Sequence, residues 1–208
     1  MIHTTTAETL SIATEAALSC GMVLDTTGER RWDYAPFLRD GEADPTPAGP
    51  QIGVFRLPAD VNLGFNRPPA VVGVFGQGPY TLVWDDFREG WGLTSRIGYE
   101  GRHFKAAIVM ETVRQFAEAA GLDRKVIAER ETIKIRLWRK GADMTQNPII
   151  TIEIDEKGNV TIEVDGMKGS GCSLLTKDIE QALGKVVDTE RKSEYNAPTQ
   201  QTVKIGQS

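Results

Sequence analysis

The sequence is poor in the residues that build most catalytic and metal centres. Of its 208 residues, two are cysteine and two are histidine. Cys20 and Cys172 stand far apart with no neighbouring thiol, which excludes a disulfide framework and a cysteine-rich zinc site. Both thiols are expected to be free, in a reducing compartment. Basic charge is also scarce. Against 29 Asp and Glu there are 24 Lys and Arg, a net charge of −5, whereas a protein built to coat nucleic acid carries the opposite balance. No apolar run approaches the roughly 20 residues of a membrane span, and Met1–Glu8 lacks the basic start and apolar run of a secretory signal. The expectation is a cytoplasmic protein with no membrane contact.

What is present suffices for a packed core: 40% of residues are hydrophobic and 25% charged, which excludes a wholly disordered chain and a collagen. A helix is expected from about Glu8 to Ser19, with Leu10, Ala13, Ala17 and Leu18 on one face and Gly21 ending it. The pattern then decays. Residues 25–69 read as a loop-rich insertion around the proline-rich, acidic stretch 40–50, anchored by Trp32, Tyr34, Phe37 and Leu38 before it and Ile52, Val54, Phe55 and Leu57 after it. Order returns with two β-rich runs, Val71–Phe75 and Tyr80–Trp84, on either side of Gly76-Gln77-Gly78-Pro79, which is hairpin chemistry. Arg102–Ala120 reads as a second helix, carrying Phe104, Ile108, Val109, Val113 and Phe116 as a stripe and capped by Gly121. Residues 125–127 suggest a short strand. In 132–139, Ile133, Ile135 and Leu137 alternate with Lys134, Arg136 and Trp138, the pattern of a half-buried strand.

Residues 141–148 look like a linker. Beyond it, Ile150–Ile154 and Val160–Val164 form a hairpin, followed by a helix from about Leu174 to Leu183. The expectation is an α+β protein of two units. Residues 1–140 would form a ferredoxin-like or split β-α-β antiparallel sheet with two helices on one face. Residues 149–195 would form a small β-β-α unit, and 196–208 a flexible tail.

The sharpest local feature is Lys168-Gly169-Ser170-Gly171-Cys172-Ser173 leading into that last helix. A thiol at a helix N-terminus has its pKa lowered, and Lys168 adds to the effect, so Cys172 is the one candidate nucleophile. The same glycines and free N–H groups could hold an anion. The bland reading competes with both: a tight turn, a serine cap and a small buried Cys172. A nucleophilic cysteine needs a base, and only His3 and His103 are on offer. The P-loop spacing is absent. The carboxylate pairs Asp85-Asp86 and Asp155-Glu156 read as strand-end and turn residues, so neither a metal nor a cofactor is expected. Lys134, Arg136 and Trp138, with Arg139 and Lys140, line one strand as a stacking platform for single-stranded nucleic acid, as a solvent face, or as the docking face for the acidic second unit.

Residues Asp165 to Cys172, with Leu175-Thr176, Ile179-Glu180, Ala182-Leu183-Gly184 and Glu194-Tyr195, resemble a small bacterial and phage family known only as a domain of unknown function. The resemblance runs from Ile149 to Tyr195. Gly171 departs from that family's Gly-Ser-Ser-Cys pattern. The stretch from Ala70 to Lys140 resembles the plastid and cyanobacterial hypothetical reading frame thirty-five family, through Gly78 to Asp85, Ala119-Ala120-Gly121 and Leu137-Trp138-Arg139. Genes of the two families often sit together, near an AAA-type ATPase. The resemblance therefore implies a non-catalytic accessory or adaptor protein that binds another protein, an AAA-type ATPase among the candidates. Isolated aromatics in loops, Trp32, Trp91 and Tyr99, would suit such an interface.

Overall fold

The computed structural model describes residues 2–27, 47, 49–58, 72–85, 93–129, 132–142, 148–167, 171–183, 186–191 and 199–205. For 85, 167, 171–175, 186–191 and 199–205 it describes the backbone alone. The fold is α+β, in two units, Met1–Ile108 and Val109–Gln207.

The first unit holds β1 (Ile2–Ala7), α1 (Leu10–Ser19), β2 (Val23–Asp25), β3 (Gln51–Arg56), β4 (Val72–Phe75), β5 (Tyr80–Asp85), α2 (Thr94–Ile97) and a 3-10 turn (Tyr99–Gly101) that leads into α3 (Arg102–Ala119). Its sheet runs β1-β5-β4-β3-β2, antiparallel at every step. The expected ferredoxin-like order is not found. There, one strand separates the two joined by the first helix; here α1 joins β1 and β2 at opposite edges, three strands apart. β1 owes its place to three β-branched threonines. Thr5 and Ala7 point into the core while Thr4 and Thr6 face out, the period-2 pattern of a strand.

Part of the expected insertion is core. Gln51–Arg56 is an inner strand, and Phe55 and Leu57 are fully buried. The remaining calls on that segment, including Trp32, Tyr34, Phe37 and Leu38, lie outside the described residues, as does Trp91. The hairpin before α2 forms as expected, with Gly73 opposite Val83 and Phe75 opposite Thr81. Thr9 caps α1 by accepting the Ile12 N–H at 3.2 Å. Gly21 closes the helix: its N–H donates to the Leu18 carbonyl and that of Met22 to the Ala17 carbonyl, both at 2.9 Å. The buried face of α1 is Ile12, Ala13, Ala16 and Ala17, and Leu18 is exposed. Three small alanines of α1 share one buried cluster with the sheet residues Val74, Leu82 and Trp84. The Trp84 ring is the hub of this core, edge-on to Phe104 at 6.0 Å and stacked on His3 at 5.8 Å.

The second unit begins within α3 and continues with β6 (Leu122–Ala128), β7 (Ile133–Arg139), β8 (Ile149–Ile154), β9 (Val160–Met167), α4 (Gly171–Leu183), β10 (Val186–Arg191) and β11 (Thr199–Ile205). The sheet order is β10-β11-β9-β8-β7-β6, again antiparallel throughout. Three expectations are corrected here. β7 belongs with β8, not with the first unit, because Ile133, Ile135 and Leu137 stand opposite Ile154, Ile152 and Ile150 and extend one apolar face. The supposed linker is the connection of that hairpin. The supposed tail contains β11, paired with both β9 and β10. The split β-α-β arrangement does occur, but in this unit: β9 and β10 run parallel, joined through α4, with β11 between them. α4 buries Thr176, Ile179 and Leu183 at helical spacing.

The outer side of α3 carries a local charge cluster. The Arg114 guanidinium donates to Glu111 and Glu118 on neighbouring turns, its Nη1 lying 2.7 Å from Glu118 Oε1. Hydrogen bonding to Arg114 holds the Glu111 carboxyl below the usual range. That stabilisation is present above the ordinary glutamate pKa and is lost as pH falls through the depressed one.

Candidate protein-binding surface

The two faces of the second sheet differ sharply. On one, Ile135, Leu137, Ile150, Ile152, Ile154, Val160, Ile162 and Val164 are buried. The other is polar, and its side chains can be placed by register. Lys125 stands opposite Arg136, which stands opposite Thr151, which stands opposite Glu163. The row beside it reads Ile127, Lys134, Glu153 and Thr161, and the row on the other side Asp123, Trp138 and then Ile149 and Asp165. Lys134, Arg136 and Trp138 therefore share one outward face, as the alternation of 132–139 requires. Sequence reading missed Lys125. Its place became visible only once β6 proved to be seven residues long and paired with β7 along its whole length.

These basic groups are not equivalent. Lys134 Nζ lies 3.2 Å from Glu129 and 3.6 Å from Glu153. The hydrogen bond to Glu129, with the charge of Glu153, raises its pKa, so it stays charged and engaged. Lys125 and Arg136 face each other across the strands, both exposed, and among the described residues no carboxylate pairs with either. Like charges directly opposite destabilise a sheet by a few tenths of a kcal/mol. Folding gains nothing from this pair; an anionic group on a bound partner would. The half-buried Trp138 lies beside it on the same strand and face. From Leu122 to Lys140 there are seven Lys and Arg against three Asp and Glu, in a chain that is acidic as a whole.

The other candidate does not assemble into a described site. Lys168, Gly169 and Ser170 lie outside the described residues. α4 begins at Gly171, three residues earlier than the expected Leu174, so Gly171, Cys172 and Ser173 occupy its first turn by backbone. His3 sits in the Trp84 stack and His103 is exposed at the start of α3. Asp155 is a turn anchor: its carboxylate accepts the N–H groups of Lys157 and Asn159, both at 2.8 Å. Tyr99 is exposed. Among the described residues no three His, Cys, Asp or Glu gather as a metal site, and no helix is long and apolar enough to cross a membrane.

Cys20 is partly buried against the first core, and burial pushes its thiol up, opposed in part by a hydrogen bond with Ser19. In the native protein near neutral pH, its alkylation by iodoacetamide is expected to be about tenfold slower than in denaturant. Mass spectrometry of the labelled peptides checks this, and equal rates at Cys20 would contradict it. Fast native labelling then reports on Cys172 alone.

Fold and surface together define a two-unit α+β protein with a charged, open sheet face. Residues 150–196 match the family described as "Protein of unknown function (DUF2997)". That span covers β8, β9, α4 and β10, while β6, β7 and β11 of the same sheet lie outside it. No curated protein and no solved structure matches the chain.

Proposed function

We propose that the chain is a non-catalytic accessory or adaptor protein that binds another protein, with an AAA-type ATPase the first partner to test. The observation that carries this reading is the uncompensated Lys125–Arg136 pair beside Trp138 on the open sheet face. Arginine and tryptophan are the side chains enriched at the energetic centres of protein interfaces. The same face holds Glu153, Glu163 and Asp165, so its field alternates in sign. Such a mosaic suits the matched charges of a protein better than a nucleic-acid backbone, which needs a continuous basic track. The resemblance to families encoded near an ATPase supports that partner class. A second reading, a thiol or anion site at Gly169–Ser173, draws on the placement of Cys172 and Ser173 in the first turn of α4.

The test is sedimentation velocity of the purified full chain mixed with a purified AAA-type ATPase from the same source. Co-sedimentation that persists when Cys172 is changed to Ser supports the adaptor reading. Co-sedimentation lost with Cys172→Ser would favour the thiol site, and no complex at low salt would contradict the choice of partner.

A further inference from the structure

Among the described residues β6 is an edge strand, and the hydrogen-bond pattern fixes which of its groups are open. At one end the Lys140 N–H donates to the Gly121 carbonyl, and at the other the Glu129 N–H donates to the Thr132 carbonyl. The register between these ends is unbroken. In an antiparallel ladder, hydrogen-bonded and non-bonded pairs alternate. Asp123, Lys125 and Ile127 therefore spend their main-chain groups on β7, while Leu122, Arg124, Val126 and Ala128 direct theirs away from the sheet. β6 ends the sheet order, and Arg124, Val126 and Ala128 are exposed.

The side chains at this edge are specific as well. Val126 continues the apolar row of Ile135, Ile152 and Ile162, yet it is 44% exposed, whereas the other three are buried. The apolar face thus runs out into solvent at the edge. Two basic groups immediately precede Val126 in the strand, Arg124 on the apolar face and Lys125 on the polar one.

We infer that β6 accepts an added β-strand from a protein partner, an extended segment whose apolar residue covers Val126 and whose adjacent acidic residues meet Lys125 and Arg124. Main-chain pairing supplies the affinity in this mode of recognition, and alternate side chains supply the selectivity. The occupant is an acidic segment because Arg124 and Lys125 repel a second copy of the same basic edge. This inference rests on the adaptor reading and adds how the partner is held.

The test uses the full chain and a synthetic peptide, Thr-Val-Val-Glu-Glu-Thr-Val, blocked at both ends, with amide hydrogen exchange read by NMR. Saturating peptide is expected to slow exchange at Arg124, Val126 and Ala128 by about tenfold or more. The amides of Lys125 and Ile127, already bonded to β7, should not change. Val126→Pro removes an outward N–H without touching the ladder, a position an edge strand tolerates, and it should abolish peptide binding, whereas Val126→Thr should retain it. A peptide with lysine in place of both glutamates should not bind. Binding by an N-methylated peptide, or undiminished binding to Val126→Pro, would overturn strand addition. So would no peptide binding at all, or protection of the same amides that rises with protein concentration in the absence of peptide, which would assign the edge to a second copy. None of these outcomes touches co-sedimentation with the ATPase, so failure of the edge and failure of the adaptor reading are separately visible.

Discussion

Replacing Gly101 with alanine is expected to cost the first unit roughly 3 kcal/mol, the sum of a left-handed backbone and an overpacked core. Gly101 sits at φ +74° in the turn before α3, where a β-carbon would lie 2.1 Å from Trp84 Cζ2. The indole cannot retreat. Phe104 meets one side of it edge-on, His3 stacks on it, and Trp84 is 1% exposed. Gly121 is the internal control, at φ +64° with nothing among the described residues within 4 Å of its would-be β-carbon, so Gly121→Ala should cost only about 1 kcal/mol of backbone strain. Urea unfolding followed by tryptophan fluorescence checks both. Equal losses at the two glycines would contradict the close packing of Gly101 on Trp84.

Changing Lys125 to glutamate should move stability and binding in opposite directions. Opposite Arg136 the new carboxylate turns a like-charge pair into an ion pair, which should stabilise the sheet by about 0.5 kcal/mol. On the adaptor reading the same change puts a negative charge where the partner presents its own, and affinity should fall roughly tenfold to a hundredfold, less steeply at high salt. Arg136→Glu should behave alike. The double variant restores a like-charge pair, so its stability should return near the starting value while binding stays lost. A functional site that costs stability has this signature. Thermal unfolding and isothermal titration calorimetry with the partner read the two effects. A variant both less stable and unimpaired in binding would contradict it.

Strong local periodicity made much of this fold legible. The alternation Ile133-Lys134-Ile135-Arg136-Leu137-Trp138 fixed β7 and its two faces, and Gly21 and Gly121 marked the ends of α1 and α3. Two kinds of element escaped. β1 is half threonine with one large apolar residue, so its pairing with β5 is what marks it as a strand, and β3, although it holds Ile52, Val54 and Phe55, is interrupted by Gly53 and shows its place only through its pairing with β4. β11 reads as a polar tail because its stability comes from lying between β9 and β10. The unit boundary is hidden for the same reason: a polar connection after β7, opening on Gly141 and closing on Pro148, looks like a linker whether it joins two domains or two strands of one sheet. For the surface, Lys134, Arg136 and Trp138 were readable from one strand. Lys125 was not, because its meaning depends on the residue across from it.

The most direct test of protein binding through this face is a photo-crosslinking residue, p-benzoylphenylalanine, placed at Trp138 in the full chain inside its native cells, with the exposed Leu18 of α1 as the control position. Irradiation is expected to give a discrete adduct with a second protein from position 138, none from position 18, and none from position 138 when Lys125 and Arg136 are both glutamate. Equal adducts from both positions, adducts indifferent to the charge reversal, or adducts with nucleic acid alone would contradict it.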